Sequence, residues 1–102
     1  MEYLIKIGIS PKVVEFLKQD CTDLEKDAIG NCMGRLESSI LYLREIGVLN
    51  SVIEEILMED YHVLMPGGEL LEKSLSHIDN IDKFVSLINE DIEYMDYLTN
   101  IS

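Results

Sequence analysis

Glu59 and His62 stand three positions apart in the run Glu59-Asp60-Tyr61-His62. On a helix that spacing puts a carboxylate and an imidazole on one face. Di-iron bundles use the arrangement twice, with two further glutamates. This sequence holds no second copy, because Ser74 and Lys73 occupy the matching positions before the other histidine, His77. One such pair does not make a metal centre, and it reads as the solvated end of a helix. His77, Asp79 and Asp82 gather near a turn, but the loop lacks the length and the glycine of an EF-hand. Asp79 reads as a helix cap. Serine, histidine and aspartate are all present, yet no Gly-x-Ser-x-Gly elbow presents a nucleophile. No dinucleotide fingerprint or phosphate loop occurs, and Pro66-Gly67-Gly68-Glu69 has no adjacent lysine for a phosphate. Cys21 and Cys32 fit neither a Cys-x-x-Cys nor a zinc spacing. Inside a helix, Cys32 reads as a small buried hydrophobe. No cofactor, metal or enzymatic activity is expected.

The charge is more informative. Twenty acids against eight lysines and arginines give a net charge of −12. Between Arg44 and Lys73 there is no lysine or arginine and there are seven acids: Glu45, Glu54, Glu55, Glu59, Asp60, Glu69 and Glu72. After Lys83 the tail carries Glu90, Asp91, Glu93 and Asp96 without a base. Nucleic acid is held by Lys and Arg that displace its counterions. Direct nucleic-acid binding is therefore disfavoured, and so is an anionic membrane surface. The acid serves solubility or faces a protein partner with a basic surface. Glu54, Glu55, Glu59, Asp60 and Tyr61 are the expected partner-binding residues. The expected function is a non-enzymatic acidic helical protein–protein interaction module. The alternative is a small acidic inhibitor that mimics nucleic acid in the basic groove of a nucleic-acid-handling protein. The N-terminal residues lack the basic lead and apolar run of a signal peptide. No uncharged apolar stretch approaches the roughly 18 residues of a membrane span. Free thiols suit a reducing compartment, so the expected location is cytoplasmic.

Elements that would position those acids follow from periodicity and punctuation. Glu2–Ile7 could be a short strand, since Tyr3, Ile5 and Ile7 alternate imperfectly with Glu2, Leu4 and Lys6. The second copy favours a last helical turn closed by Gly8, as Tyr42–Ile46 is closed by Gly47, because glycine takes the left-handed conformation past a helix end. Ser10-Pro11 opens a helix, Ser as cap and Pro in the first turn. Val13, Val14, Phe16 and Leu17 supply its apolar face, and it ends near Asp20. Thr22 and Glu25 form a capping-box pattern, predicting a long helix over 23–46. Its apolar positions include Leu24, Ala28, Ile29, Met33, Leu36, Ile40, Leu41, Leu43 and Ile46, with steps of three and four dominant. Gly30 and Gly34 inside it imply a close helix crossing or a break near Asn31. Asn50-Ser51 with Glu54 offers the next cap, and Val52, Ile53, Ile56 and Leu57 form that helix's face. Pro66-Gly67-Gly68 turns the chain. A helix over 69–77 follows, then one capped by Asp79 or Asn80, then a terminal helix carrying Ile92, Tyr94, Met95 and Leu98.

Two of these segments echo each other. Tyr3–Asp20 and Tyr42–Asp60 share Tyr-Leu, Ile-Gly and a Val-Val or Val-Ile step, all in one register that pairs Tyr3 with Tyr42. A third segment, 82–91, echoes 51–60 in a register that pairs Asp82 with Ser51. Both spacings fall within the roughly 30 to 45 residues typical of helix-pair repeats, and stacked pairs share a core that one pair cannot close. The expected architecture is a single all-α domain over 1–102. It has five or six helices in an irregular bundle or short stack of degenerate helix-pair repeats near 3–20, 42–60 and 82–91. Apolar repeat edges make self-association a further expectation.

The order Leu41-Tyr42-Leu43, Ile46-Gly47-Val48, Val52-Ile53, Ile56-Leu57, Val63-Leu64 and Glu69-Leu70-Leu71 resembles the helical repeats of the mitochondrial transcription termination factor family. Residues 3–20 with Arg35-Leu36-Glu37 give a partial first unit. The resemblance implies stacked helix pairs. It would also imply a basic superhelix that binds nucleic acid. Here the sequence departs from the family: Tyr61-His62 replaces the proline before the turn, and the chain is acidic. Only the architecture is carried over.

Overall fold

The structure is a computed structural model. It describes residues 2–31 and 33–92, with the backbone only of Glu25, Ala28, Ile29 and Met33. The expectations for Cys32, for the side chains of Ala28, Ile29 and Met33, and for the terminal helix beyond Ile92 lie outside the described residues. Within them the protein is all-α. The helices are α1 (Glu2–Lys6), α2 (Pro11–Asp20), α3 (Asp23–Asn31), α4 (Met33–Ile46) and α5 (Asn50–Asp60). A 3-10 turn (Tyr61–Leu64), α6 (Gly68–Leu75) and α7 (Ile81–Glu90) follow. No described helix is long and apolar enough to cross a membrane.

α1 ends as a helix and not as a strand. The Ile9 amide donates to the Leu4 carbonyl (2.9 Å) and the Gly8 amide to that of Ile5 (3.1 Å). This is the paired bond pattern of a Schellman cap. The end of α4 repeats it: Val48 donates to Leu43 (2.9 Å) and Gly47 to Arg44 (3.1 Å). These are the positions that the first echo pairs, Leu4 with Leu43 and Gly8 with Gly47. Both glycines have positive φ, +97° and +105°. The residues on either side of each cap, Leu4 with Ile9 and Leu43 with Val48, are buried.

α2 starts as its sequence dictates: Ser10 Oγ accepts from the Lys12 amide (3.3 Å), with Pro11 in the first turn. Its buried residues are Val13, Val14 and Leu17. Phe16, expected on that face, is half out of it at 37 % exposed. In α5 the echo partners of those three, Val52, Ile53 and Ile56, are buried in turn, with Leu57 added. α7 is capped by Asn80 Oδ1, which accepts from the Lys83 amide (3.1 Å). The second echo would set Lys83, Phe84 and Leu87 against Val52, Ile53 and Ile56. The buried triplet of α7 is instead Phe84, Val85 and Ile88. Its inward face is thus one position out of register with the echo read from the sequence.

α4 is the central element, packed on α5, α6, α7 and the 3-10 turn. Leu36, Ile40 and Leu43, spaced by four and three, are fully buried; each contributes about 1.5–3 kcal/mol by leaving water. A single apolar cluster runs from Leu4 to Ile88. Two serines of α4 hold the turn into α6. Ser39 Oγ, buried, donates to the Leu64 carbonyl (2.6 Å), and Ser38 Oγ accepts from the Gly68 amide (2.9 Å).

The glycines and the cap of α5 also differ from expectation. The close crossing is at Gly68, where an added Cβ would lie 2.6 Å from Ser38 Oγ and 2.8 Å from the Ser38 carbonyl oxygen. At Gly30 and Gly34 a Cβ would meet nothing within 4 Å, so nothing crosses closely there; the other reading of these glycines, a break near Asn31, bears on residue 32, outside the described residues. The cap of α5 is Leu49, which has no side-chain acceptor, and not Asn50-Ser51. The Leu49 amide instead donates to Asn89 Oδ1 of α7 (2.9 Å), and Asn89 Nδ2 donates to the Gly47 carbonyl (3.2 Å).

Candidate interaction faces

With Val52, Ile53, Ile56 and Leu57 turned into the core, α5 shows Glu55, Met58 and Glu59 to solvent. Residues three and four apart neighbour each other on a helix, so these three form one stripe. Among the described residues the ion pairs are Lys18 with Glu2 and Glu15, Lys26 with Asp23, and His62 with Asp60. Glu55 and Glu59 enter none of them.

The other three expected residues divide differently. Glu54 is half-buried and accepts from Asn50 Nδ2 (3.0 Å). Asn50 Nδ2 also donates to the Gly8 carbonyl (3.2 Å), and Asn50 Oδ1 accepts from Arg44 Nε (3.1 Å) and Nη2 (2.6 Å). Arg44 Nη1 donates to the Ile7 carbonyl. Glu54 therefore belongs to a clasp that ties the end of α1 to the start of α5, and does not lie on the open stripe. Asp60 ends α5, accepts from the His62 amide (3.1 Å) and meets His62 Nδ1 at 3.0 Å. Tyr61 is a correction: it is only 7 % exposed, part of the core, with its ring stacked on that of His62 at 4.2 Å. The cause is the change from α-helix to 3-10 turn at position 61. The same change breaks the continuous face that Glu59 and His62 would need, and His62 pairs with Asp60.

A cleft of about 190 Å³ between α2 and α5 borders this stripe, lined among others by Phe16, Asp20, Met58, Glu59, Asp60 and His62. Phe16 and Met58 are each 37 % exposed. Phe16 and Asp20 come from α2 and join the acids of α5 only through the α2–α5 packing.

A second groove, about 580 Å³, lies where α4 and α6 meet the 76–81 segment and carries Tyr42, Glu45 and Glu72. Burial raises the Tyr42 pKa above its ordinary 10.0, and the charges of Glu72 and Glu45 raise it further. A third concavity of about 490 Å³ is lined by Ile78, Phe84 and Leu87 with Asp79, Asn80 and Lys83. Among the described residues no three His, Cys, Asp or Glu side chains gather as a metal site would require.

No family model, curated protein or solved structure matches this chain.

Proposed function

We propose that this protein is a non-enzymatic interaction module built as a short stack of helix pairs, and that α5, with the cleft beside α2, receives a protein partner with a basic surface. One observation carries the reading. Glu55 and Glu59 flank the exposed Met58 on an open stripe, and neither enters an ion pair among the described residues. Apolar surface with unpaired charge at its edge suits a complementary surface: the apolar part supplies affinity, and the charges steer encounter and fix register. Glu55, Met58, Glu59 and Phe16 are the contact residues. Asp60 contributes charge at the rim, and Glu54 and Tyr61 act in the scaffold. The location proposed is the cytoplasm.

The test is affinity capture from native lysate, with and without nuclease, followed by the charge reversal E55K/E59K on whatever protein is retained. The expected result is a partner retained after nuclease whose affinity falls about tenfold in the double variant, since rim charges act largely on association. Unchanged affinity removes the face. If the retained protein handles nucleic acid and releases it when this protein binds, the inhibitor reading replaces the simpler one.

A further inference from the structure

The groove at Tyr42 shares no lining residue with the α2–α5 cleft, so what it binds does not depend on the α5 face. Its floor is apolar. Ile46 comes from α4, Leu75 from the end of α6, Ile78 from the segment leading into α7, and Ile81 from the first position of α7. Leu75 is buried, whereas the three isoleucines are half-buried and keep apolar surface in water. Tyr42 and Glu45 stand one turn apart on α4, and Glu72 stands one turn before Leu75 on α6.

Glu45 and Glu72 enter none of the ion pairs among the described residues. Arg44, next to Glu45 in sequence, has its guanidinium on the Ile7 carbonyl and the Asn50 amide oxygen. Lys73, next to Glu72, projects about 100° round the helix from it. Both acids nevertheless line the groove beside Tyr42.

We propose that this groove takes a basic amphipathic segment of a partner protein. An apolar side chain would rest on Ile46, Ile78 and Ile81, and a lysine or arginine would lie against Glu45, Glu72 and the Tyr42 ring. Charge selects this occupant. A cation gains from the carboxylates and from an aromatic face together. Phosphate-bearing ligands meet two negative charges, and a second copy of the chain brings a net charge of −12 to the same place. A docked cation also lowers the Tyr42 pKa back toward its ordinary value, by opposing the charges that raise it.

The experiment titrates the full chain, isotope-labelled for NMR, with a short synthetic helical peptide of leucine and lysine, the lysines on one face. Two control peptides carry serine for leucine or glutamate for lysine. Shift changes are expected at Tyr42, Ile46, Ile78 and Ile81, with neither control binding. E45Q/E72Q should weaken binding about tenfold and E55Q/E59Q by less than about twofold, a contrast that separates a docked pair from a diffuse field. Circular dichroism checks that both variants stay folded. Absence of binding, equal loss in the two variants, or equal binding of the serine peptide overturns the proposal. So does a wild-type dimer in sedimentation that E45Q/E72Q dissolves, which would make a second copy the occupant.

Discussion

Gly68 is the glycine with the least room for a side chain. An added Cβ would lie 2.6 Å from Ser38 Oγ and 2.8 Å from the Ser38 carbonyl oxygen, and backbone cannot swing aside as a side-chain tip can. Gly68→Ala should therefore push α6 off α4 and destabilise the protein by about 1–3 kcal/mol, the range for overpacking. Gly30→Ala meets open space and should be neutral or mildly stabilising, because alanine is the better helix former. Urea unfolding of the two variants checks both; equal midpoints would contradict the close crossing. Tyr42 supplies a second residue-scale expectation. Its folded pKa is raised above the 10.0 of an ordinary tyrosine, so between the two values the folded state holds the proton more tightly. Stability from this group is then fully present below the ordinary pKa and is lost as pH rises through the folded one. Unfolding midpoints measured through the alkaline range should fall less steeply for Tyr42→Phe than for the wild type.

At the scale of elements, two joints between helices are polar clasps on a glycine carbonyl. Asn50 donates to the Gly8 carbonyl, and Asn89 donates to that of Gly47. The sequence separation is the same in both, 42. Arg44 and Asn50 act on one another as well as on α1, so their losses should not add. R44A and N50A are each expected to cost about 1–2 kcal/mol, with a coupling of at least about 0.5 kcal/mol in the double-mutant cycle by chemical denaturation. Strict additivity would mean the clasp is not a unit. These joints also show what a sequence reveals. Gly8, Gly47, Ser10 and Pro11 act on backbone close to themselves in the chain, and their roles were readable. Asn89 caps α5 from a distant helix, and no local pattern announces it. The acid run named Glu55 and Glu59, which are exposed. It misplaced Tyr61, because the helical period stops at Asp60 and the 3-10 turn carries the ring inward. Phe16 joined the candidate cleft only through the packing of α2 on α5, and the close approach at Gly68 depends on Ser38 thirty residues away, which no local pattern marks.

For the whole molecule, the question is whether the acid serves solubility or recognition, and stability can separate the two. A chain of net charge −12 repels itself in the compact state, and salt screens that repulsion within about 10 Å at about 0.1 M. Raising sodium chloride from about 0.05 M to about 0.5 M should therefore raise the melting temperature. If the repulsion is about 1 kcal/mol, the rise should be about 4–8 °C for a domain near this size. Each Glu→Lys or Asp→Lys change makes the chain two units less negative. E55K/E59K and D27K/E90K thus relieve the same net charge, at exposed positions outside every ion pair among the described residues. Both should melt higher than the wild type at low salt, and the gap should close at high salt. For acid that serves only solubility, the two variants remain equivalent in every assay. For acid on α5 that serves a partner, E55K/E59K gains the same stability as D27K/E90K but loses the partner alone. Repulsion retained on α5 at the expense of stability, and relieved only together with a loss of binding, is what a recognition surface requires and a solubility surface does not.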